Sequence, residues 1–190
     1  MEEMKERIIN AAIEEFTKSG LKFTMDDIAK NLAMSKKTIY TVFRDKETLF
    51  YQMVDYSFDK IKESEQYVLM DPTLSTLEKL RKLMGVLPEV YKDIDLTQLY
   101  ALRDKYPRTY LKVQKRLESG WESTISLINK GIEEGSIRPV NVMVVKTMFE
   151  STLEQFFQRD VLIASGMSYQ DALSEVVNIL IDGIATGRMA

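Results

Sequence analysis

Apolar side chains recur at intervals of three and four along most of the chain, and strand-like alternation is nearly absent, so the pattern predicts an all-α protein. Over residues 3–18, Ile9, Ala12, Ile13 and Phe16 share one helical face, and Gly20 marks the stop. Thr24 then holds the N-cap position of a short helix over 25–32, with Asp27 completing a capping box and Phe23 and Ile28 as the flanking apolar pair. Ser35 repeats the arrangement for a helix over 36–43, with Met34 and Ile39 as its pair. Asp45 caps a fourth helix, whose stripe of Leu49, Met53, Ser57 and Ile61 continues to Met70, a span of roughly 37 Å at 1.5 Å per residue.

Past Asp71 and Pro72 the periodicity predicts five further helices, over 73–87, 96–105, 108–133, 140–164 and 168–187. The third of these carries Leu117, Trp121, Ile125, Ile128 and Ile132 and ends at Gly135. The last two are apolar over wider arcs: Val142, Val144, Val145, Met148, Phe149, Leu153, Phe156 and Phe157 on one, Ala172, Leu173, Val176, Val177, Ile179, Leu180 and Ile184 on the other. A helix needs only one apolar stripe to dock on a core, so each of these must cover two faces. A second copy of the chain is the simplest cover, and a homodimer through 140–164 and 168–187 is expected.

Composition narrows the function classes. The chain has 190 residues, 45% of them hydrophobic, enough for a substantial core. No run reaches the roughly 18 apolar residues of a membrane span, and the opening MEEMKERIINAA is acidic and amphipathic, unlike a secretory signal, so a cytoplasmic location is expected. With neither cysteine nor histidine, disulfides, thiolate metal sites, cysteine nucleophiles and serine–histidine triads are excluded, and neither a metal nor a cofactor is expected. No pair of acids stands in an apolar setting that would tune a carboxyl for proton transfer, so catalysis is not expected either.

The net charge of −3 argues against a general polyanion binder, yet its distribution points to one stretch. Residues 33–44 hold Lys36, Lys37 and Arg44 with no acid. Residues 24–43 fit a helix-turn-helix, two short capped helices joined through Ala33, Met34 and Ser35. Ile28, Ala29, Leu32, Met34, Ile39 and Phe43 form the inner face, and Lys36, Lys37, Thr38, Tyr40 and Thr41 remain outside. Such a helix can enter a major groove. Thr24, Ser35 and Lys36 sit at helix N-termini suited to phosphate, Lys37 and Thr38 can reach base edges, Tyr40 can offer its hydroxyl to a phosphate, and Lys46 adds a cation at the start of the fourth helix. The competing reading is a helical binding module that docks an acidic protein through the same bihelical unit.

Residues 8–50, IINAAIEEFTKSGLKFTMDDIAKNLAMSKKTIYTVFRDKETLF, resemble the DNA-binding domain of the TetR family of transcriptional regulators. The resemblance is carried by AA..F...G in the first helix, T..DIA..L in the second, S..T.Y..F in the third and KE.L at the start of the fourth. It implies a helix-turn-helix domain over 1–48 and a helical ligand-binding and dimerisation domain over 49–190, the long helix joining them. It also implies a homodimeric repressor bound to a pseudo-palindromic duplex operator and released by a small, largely apolar effector. Ligand-responsive members of that family carry an effector pocket among their fourth to eighth helices, which makes Tyr67, Met84, Tyr100, Trp121, Phe149 and Phe156 its candidate lining here. Glu150 and Glu154, one turn apart beside phenylalanines, would favour a cationic effector if they faced it. Two positions depart from the family pattern. Ala33 stands where glycine is usual, at a cost of about 1 kcal/mol if the backbone is left-handed there, and Val42 replaces a histidine common before the last phenylalanine.

Overall fold

A computed structural model describes residues 2–87, 101–159 and 161–187. Among these residues the chain is α-helical, with no strand and a single isolated bridge between Ile137 and Ala185. The first helices are α1 (Glu2–Ser19), a 3-10 turn (Gly20–Lys22), α2 (Met25–Asn31), α3 (Lys36–Val42) and α4 (Lys46–Met70). Then come α5 (Thr76–Met84), α6 (Leu102–Lys105), α7 (Pro107–Leu117), α8 (Glu122–Glu133), α9 (Val142–Gln158), α10 (Val161–Ser165) and α11 (Tyr169–Ile184). No helix among the described residues is long and apolar enough to cross a membrane.

The polar side chains between the apolar stripes set the helix starts. Thr24 and Asp27 make the reciprocal capping box at α2, Ser35 accepts from the Thr38 amide at α3, and Asp45 accepts from the Thr48 amide at α4. Each supplies an acceptor to an amide that the helix itself leaves unpaired, worth about 1 kcal/mol. Ser75 with Glu78, Asn141 and Ser168 do the same for α5, α9 and α11.

Two of the expected helices are divided. The helix read over 108–133 breaks at Ser119–Trp121, where Gly120 takes a left-handed φ of +77°, giving α7 and α8. The apolar register runs on through the break, which is why periodicity alone joins the two. Likewise the helix read over 140–164 ends at Gln158 and resumes as α10. Residues 96–100 of another expected helix lie outside the described residues, and α6 is its described remainder.

The buried apolar side chains gather in two clusters. One centres on α1–α3 and the start of α4, with Phe16, Phe23, Ile28, Ile39, Phe43, Leu49 and Phe50, and it also takes in Leu102 and Tyr110 from α6 and α7. The other is built from α5 and α7–α11, including Leu80, Ile128, Phe149, Leu153, Val177 and Ile181. Helix α4 runs between them, and ion pairs tie it to α7: Arg116 reaches Asp59 at 2.7 Å, and Lys112 pairs with Asp55. The wide apolar arcs of α9 and α11 are explained in part. Val145, Phe149 and Leu153 of α9 and Val177 and Ile181 of α11 fill the core, whereas Met143, Val144 and Met148 of α9 and Ile179 of α11 stand exposed. A shallow groove between α9 and α11 is lined by Val144, Met148 and Ile179.

Candidate nucleic-acid interface and core cavity

Helix α3 is fixed from behind. Ile39 and Phe43 are fully buried, each worth about 1.5–3 kcal/mol of transfer from water. The turn that aims it passes through Ala33, whose φ of 50° is left-handed, and is closed by the Met34 amide donating to the Ala29 carbonyl at 2.9 Å. That geometry is the one a glycine would favour, so Ala33 holds it under strain. On the outer side Ser35, Lys36, Lys37, Tyr40 and Thr41 are exposed and Thr38 is half-buried.

These outer groups are not equivalent. The Lys36 ammonium donates to Asp26 of α2 at 2.9 Å, and Arg44 donates to Asp45 at 3.0 Å and to the Thr48 hydroxyl at 3.2 Å. Lys37 has no ion-pair partner among the described residues, so it is the cation of this stretch whose charge stays uncompensated. The Ser35 and Thr38 hydroxyls share a 2.8 Å hydrogen bond, and the Thr41 hydroxyl donates to the Thr38 carbonyl at 2.6 Å. Thr24 is held by Asp27, which accepts from its amide at 2.8 Å and from its hydroxyl at 2.7 Å and is thereby kept more acidic than an ordinary carboxyl.

Lys46 is placed differently from the sequence expectation of an outward phosphate contact. Its ammonium turns back onto the segment before α2, donating to the Leu21 carbonyl at 2.9 Å and to the Phe23 carbonyl, and lies 4.0 Å from the centre of the Phe23 ring. The reason is local. The 3-10 turn ends with carbonyls that no helix uses, and the lysine satisfies them. Burial, with Lys105 adding like charge, lowers its pKa from 10.5 to about 8.

Between the two clusters lies a cavity of about 220 Å³. Of the expected lining residues, Met84, Trp121 and Phe149 are there, the last two edge to face with centroids 5.7 Å apart. Tyr67 is not: it points outward from α4 and is 78% exposed. Phe156 is buried but packs against Tyr169 rather than facing the space, and Tyr100 lies outside the described residues. Glu150 binds Lys146 at 3.0 Å and Glu154 accepts from Gln114 at 2.7 Å, so neither acid is directed into the cavity.

Sequence reading missed the charged part of the lining: Lys62 and Glu65 of α4 and Arg116 of α7. The signal was present in part. Glu65 continues the stripe Leu49, Met53, Ser57, Ile61 by four more residues, an acid set on an apolar face. It is buried with its carboxylate held by Lys62 at 2.7 and 2.9 Å, and burial pushes its carboxyl above the usual range against the pull of the lysine.

A cationic, hydroxyl-bearing helix on a helix-turn-helix scaffold, followed by a helical domain with an apolar cavity, defines a DNA-binding regulator. Residues 8–53 match the family of bacterial regulatory proteins known as the tetR family. The chain is similar to the HTH-type transcriptional regulator YhgD of Bacillus subtilis, 30% identical over 140 residues that cover 71% of this chain and 72% of that one. It is also similar to YvaF of the same organism, 22% identical over 98% of both chains. In fold it is like the crystal structure of FadR from Bacillus subtilis in complex with stearoyl-CoA, with a TM-score of 0.67, 19% identity, and coverage of 94% of this chain and 98% of that one. The chain belongs to the TetR family of transcriptional regulators.

Proposed function

We propose that this regulator is a homodimeric repressor whose two α3 helices enter successive major grooves of a pseudo-palindromic operator, about 34–36 Å apart, and that a small, largely apolar effector in the core cavity releases it. Residues 1–48 serve as the DNA-binding domain and 49–190 as the effector-binding and dimerisation domain. The observation that carries the reading is the outer side of α3, where Lys37 has no counterion among the described residues and the helix is locked from behind by Ile39 and Phe43.

Lys37 and Thr38 choose bases, lysine favouring guanine acceptors and threonine an acceptor or a thymine methyl. Thr24, Ser35, Lys36, Tyr40 and Thr41 set register on phosphates, Lys36 by giving up its exposed and therefore weak pair with Asp26. Lys46 supports the scaffold from inside. The exposed Met143, Val144, Met148 and Ile179 supply the dimer face on α9 and α11. Support for an apolar effector comes from the apolar lining of the cavity and from the stearoyl-CoA bound by the similarly folded FadR.

Helix α4 starts at the DNA-binding domain and lines the cavity, so an effector that fits only a tilted α4 disfavours operator binding. Coupling of about 1–3 kcal/mol lowers affinity roughly 5- to 150-fold. Mobility-shift titrations on the DNA upstream of the gene test the division of roles. Lys37→Ala is expected to change which base pairs are preferred, whereas Tyr40→Phe weakens every sequence alike. The same loss at every sequence from both variants contradicts it, and an unshifted duplex at moderate salt points to the acidic-protein partner instead.

A further inference from the structure

The cavity's charged groups are arranged unequally. Lys62 is 37% exposed while its partner Glu65 is 9% exposed, so the lysine lies toward the water and the acid toward the interior. Arg116, itself partly exposed, and the exposed Ser119 line the same side, whereas Phe16, Phe50, Phe149 and Leu173 line the interior. All three donors of Lys62 are engaged: two on Glu65 and one on the Gly120 carbonyl at 2.6 Å. Its stem lies so close to the α7–α8 turn that a Cβ on Gly120 would stand 2.7 Å from Lys62 Cε. This lysine therefore fastens α4 to the turn between α7 and α8 at the edge of the cavity.

An ion pair with one member buried contributes little net stability, because desolvation of the acid offsets most of the attraction. It does mark where a polar ligand group can be received. A ligand that enters with its apolar end inward leaves its head beside Lys62, the more exposed member of its pair, while Arg116 stays held by Asp59 at 2.7 Å. A cationic head would have to pass Lys62 and lose its hydration to reach Glu65. We propose that Lys62 is the head-group anchor of the cavity, receiving the terminal carboxylate of an apolar-chain ligand in exchange for Glu65 and the Gly120 carbonyl. This rests on the cavity being the effector site. The exchange leaves Glu65 buried without a counterion, and it then takes a proton from solvent, as its desolvated setting favours. It also unfastens α4 from the α7–α8 turn, which ties head-group capture to the helix that carries the DNA-binding domain.

Trp121 is the single tryptophan of the chain and lines the cavity next to Gly120, so its fluorescence reports occupancy. The full-length protein is titrated with decanoate, decanol and decylamine, each below its micelle-forming concentration. Decanoate is expected to bind roughly 10-fold or more tightly than the other two, because it alone offers the Lys62 ammonium a carboxylate in place of Glu65. Lys62→Met removes that preference, and Glu65→Gln, which removes the competing carboxylate, strengthens decanoate binding. The Lys62→Met/Glu65→Gln double variant, which leaves no unpaired buried charge, serves where Lys62→Met alone fails to fold, and it too shows no preference. Equal binding of decanoate and decanol, or a preference that survives loss of Lys62, overturns the anchor while leaving the cavity as the effector site. Preference for decylamine overturns it in favour of Glu65 as the anchor. No saturable response to any of the three removes the cavity as a site for such effectors, and the anchor with it.

Discussion

Ala33 holds a left-handed backbone, with φ at 50°, without the freedom of glycine. Ala33→Gly is expected to stabilise the protein by about 0.5–1 kcal/mol, relief of strain exceeding the added freedom of the unfolded chain. Urea denaturation measures it, and an unchanged or lower midpoint contradicts the strain. Lys46 gives a pH-dependent counterpart. Its ammonium is received by two carbonyls and an aromatic face, yet burial dominates and the folded-state pKa falls to about 8 against 10.5 in the unfolded chain. Between these values the unfolded chain holds the proton and the folded one does not, so this lysine makes stability rise with pH across that window. Below pH 8 both states carry the charge and the burial cost is felt in full. Comparing urea midpoints at pH 7 and pH 9.5, the wild type should gain relative to Lys46→Met, and parallel behaviour of the two contradicts the buried placement.

At the scale of elements, the starts of α2, α3 and α4 were legible to the residue, because each is written by an N-cap whose hydroxyl or carboxylate serves an amide three residues on. The interior of the helix-turn-helix was legible for the same kind of reason: Ile28, Ile39 and Phe43 repeat at helical intervals and all three are buried. The α7–α8 break was not. Leu117, Trp121, Ile125 and Ile128 keep one phase across it, and only the Ser119–Gly120 pair hints that the axis changes direction. The orientation of Lys46 was likewise hidden, since it depends on carbonyls freed by a 3-10 turn far away in sequence. The cavity was the least legible feature. Met84, Trp121 and Phe149 could be guessed as large and apolar, but Tyr67 and Phe156 have the same character and face elsewhere, Tyr67 outward from α4 and Phe156 from α9 onto Tyr169 of α11. The break itself can be tested. Gly120→Ala meets both the left-handed φ and the Lys62 stem, and a loss of about 1–2 kcal/mol in urea denaturation is expected. A loss below a few tenths means that the turn relaxes without cost.

At the scale of the whole molecule, α4 connects three things: the domain carrying α3, the ion pairs to α7, and the charged edge of the cavity. In the proposed arrangement a dimer built on α9 and α11 would set the distance between two copies of α3, and α4 would transmit a change in the core to that distance. Selection from a random duplex library with base-resolution sequencing shows whether the two recognition helices act as a spaced pair. The wild type is expected to enrich two inverted half-sites centred one or a whole number of helical turns apart. Met148→Glu, which places a charge on a face where Met148 is 53% exposed, is expected to sediment as a monomer and to lose the paired site. Enrichment of a lone half-site by the wild type, or of no sequence at all, would rule out a spaced pair of recognition helices.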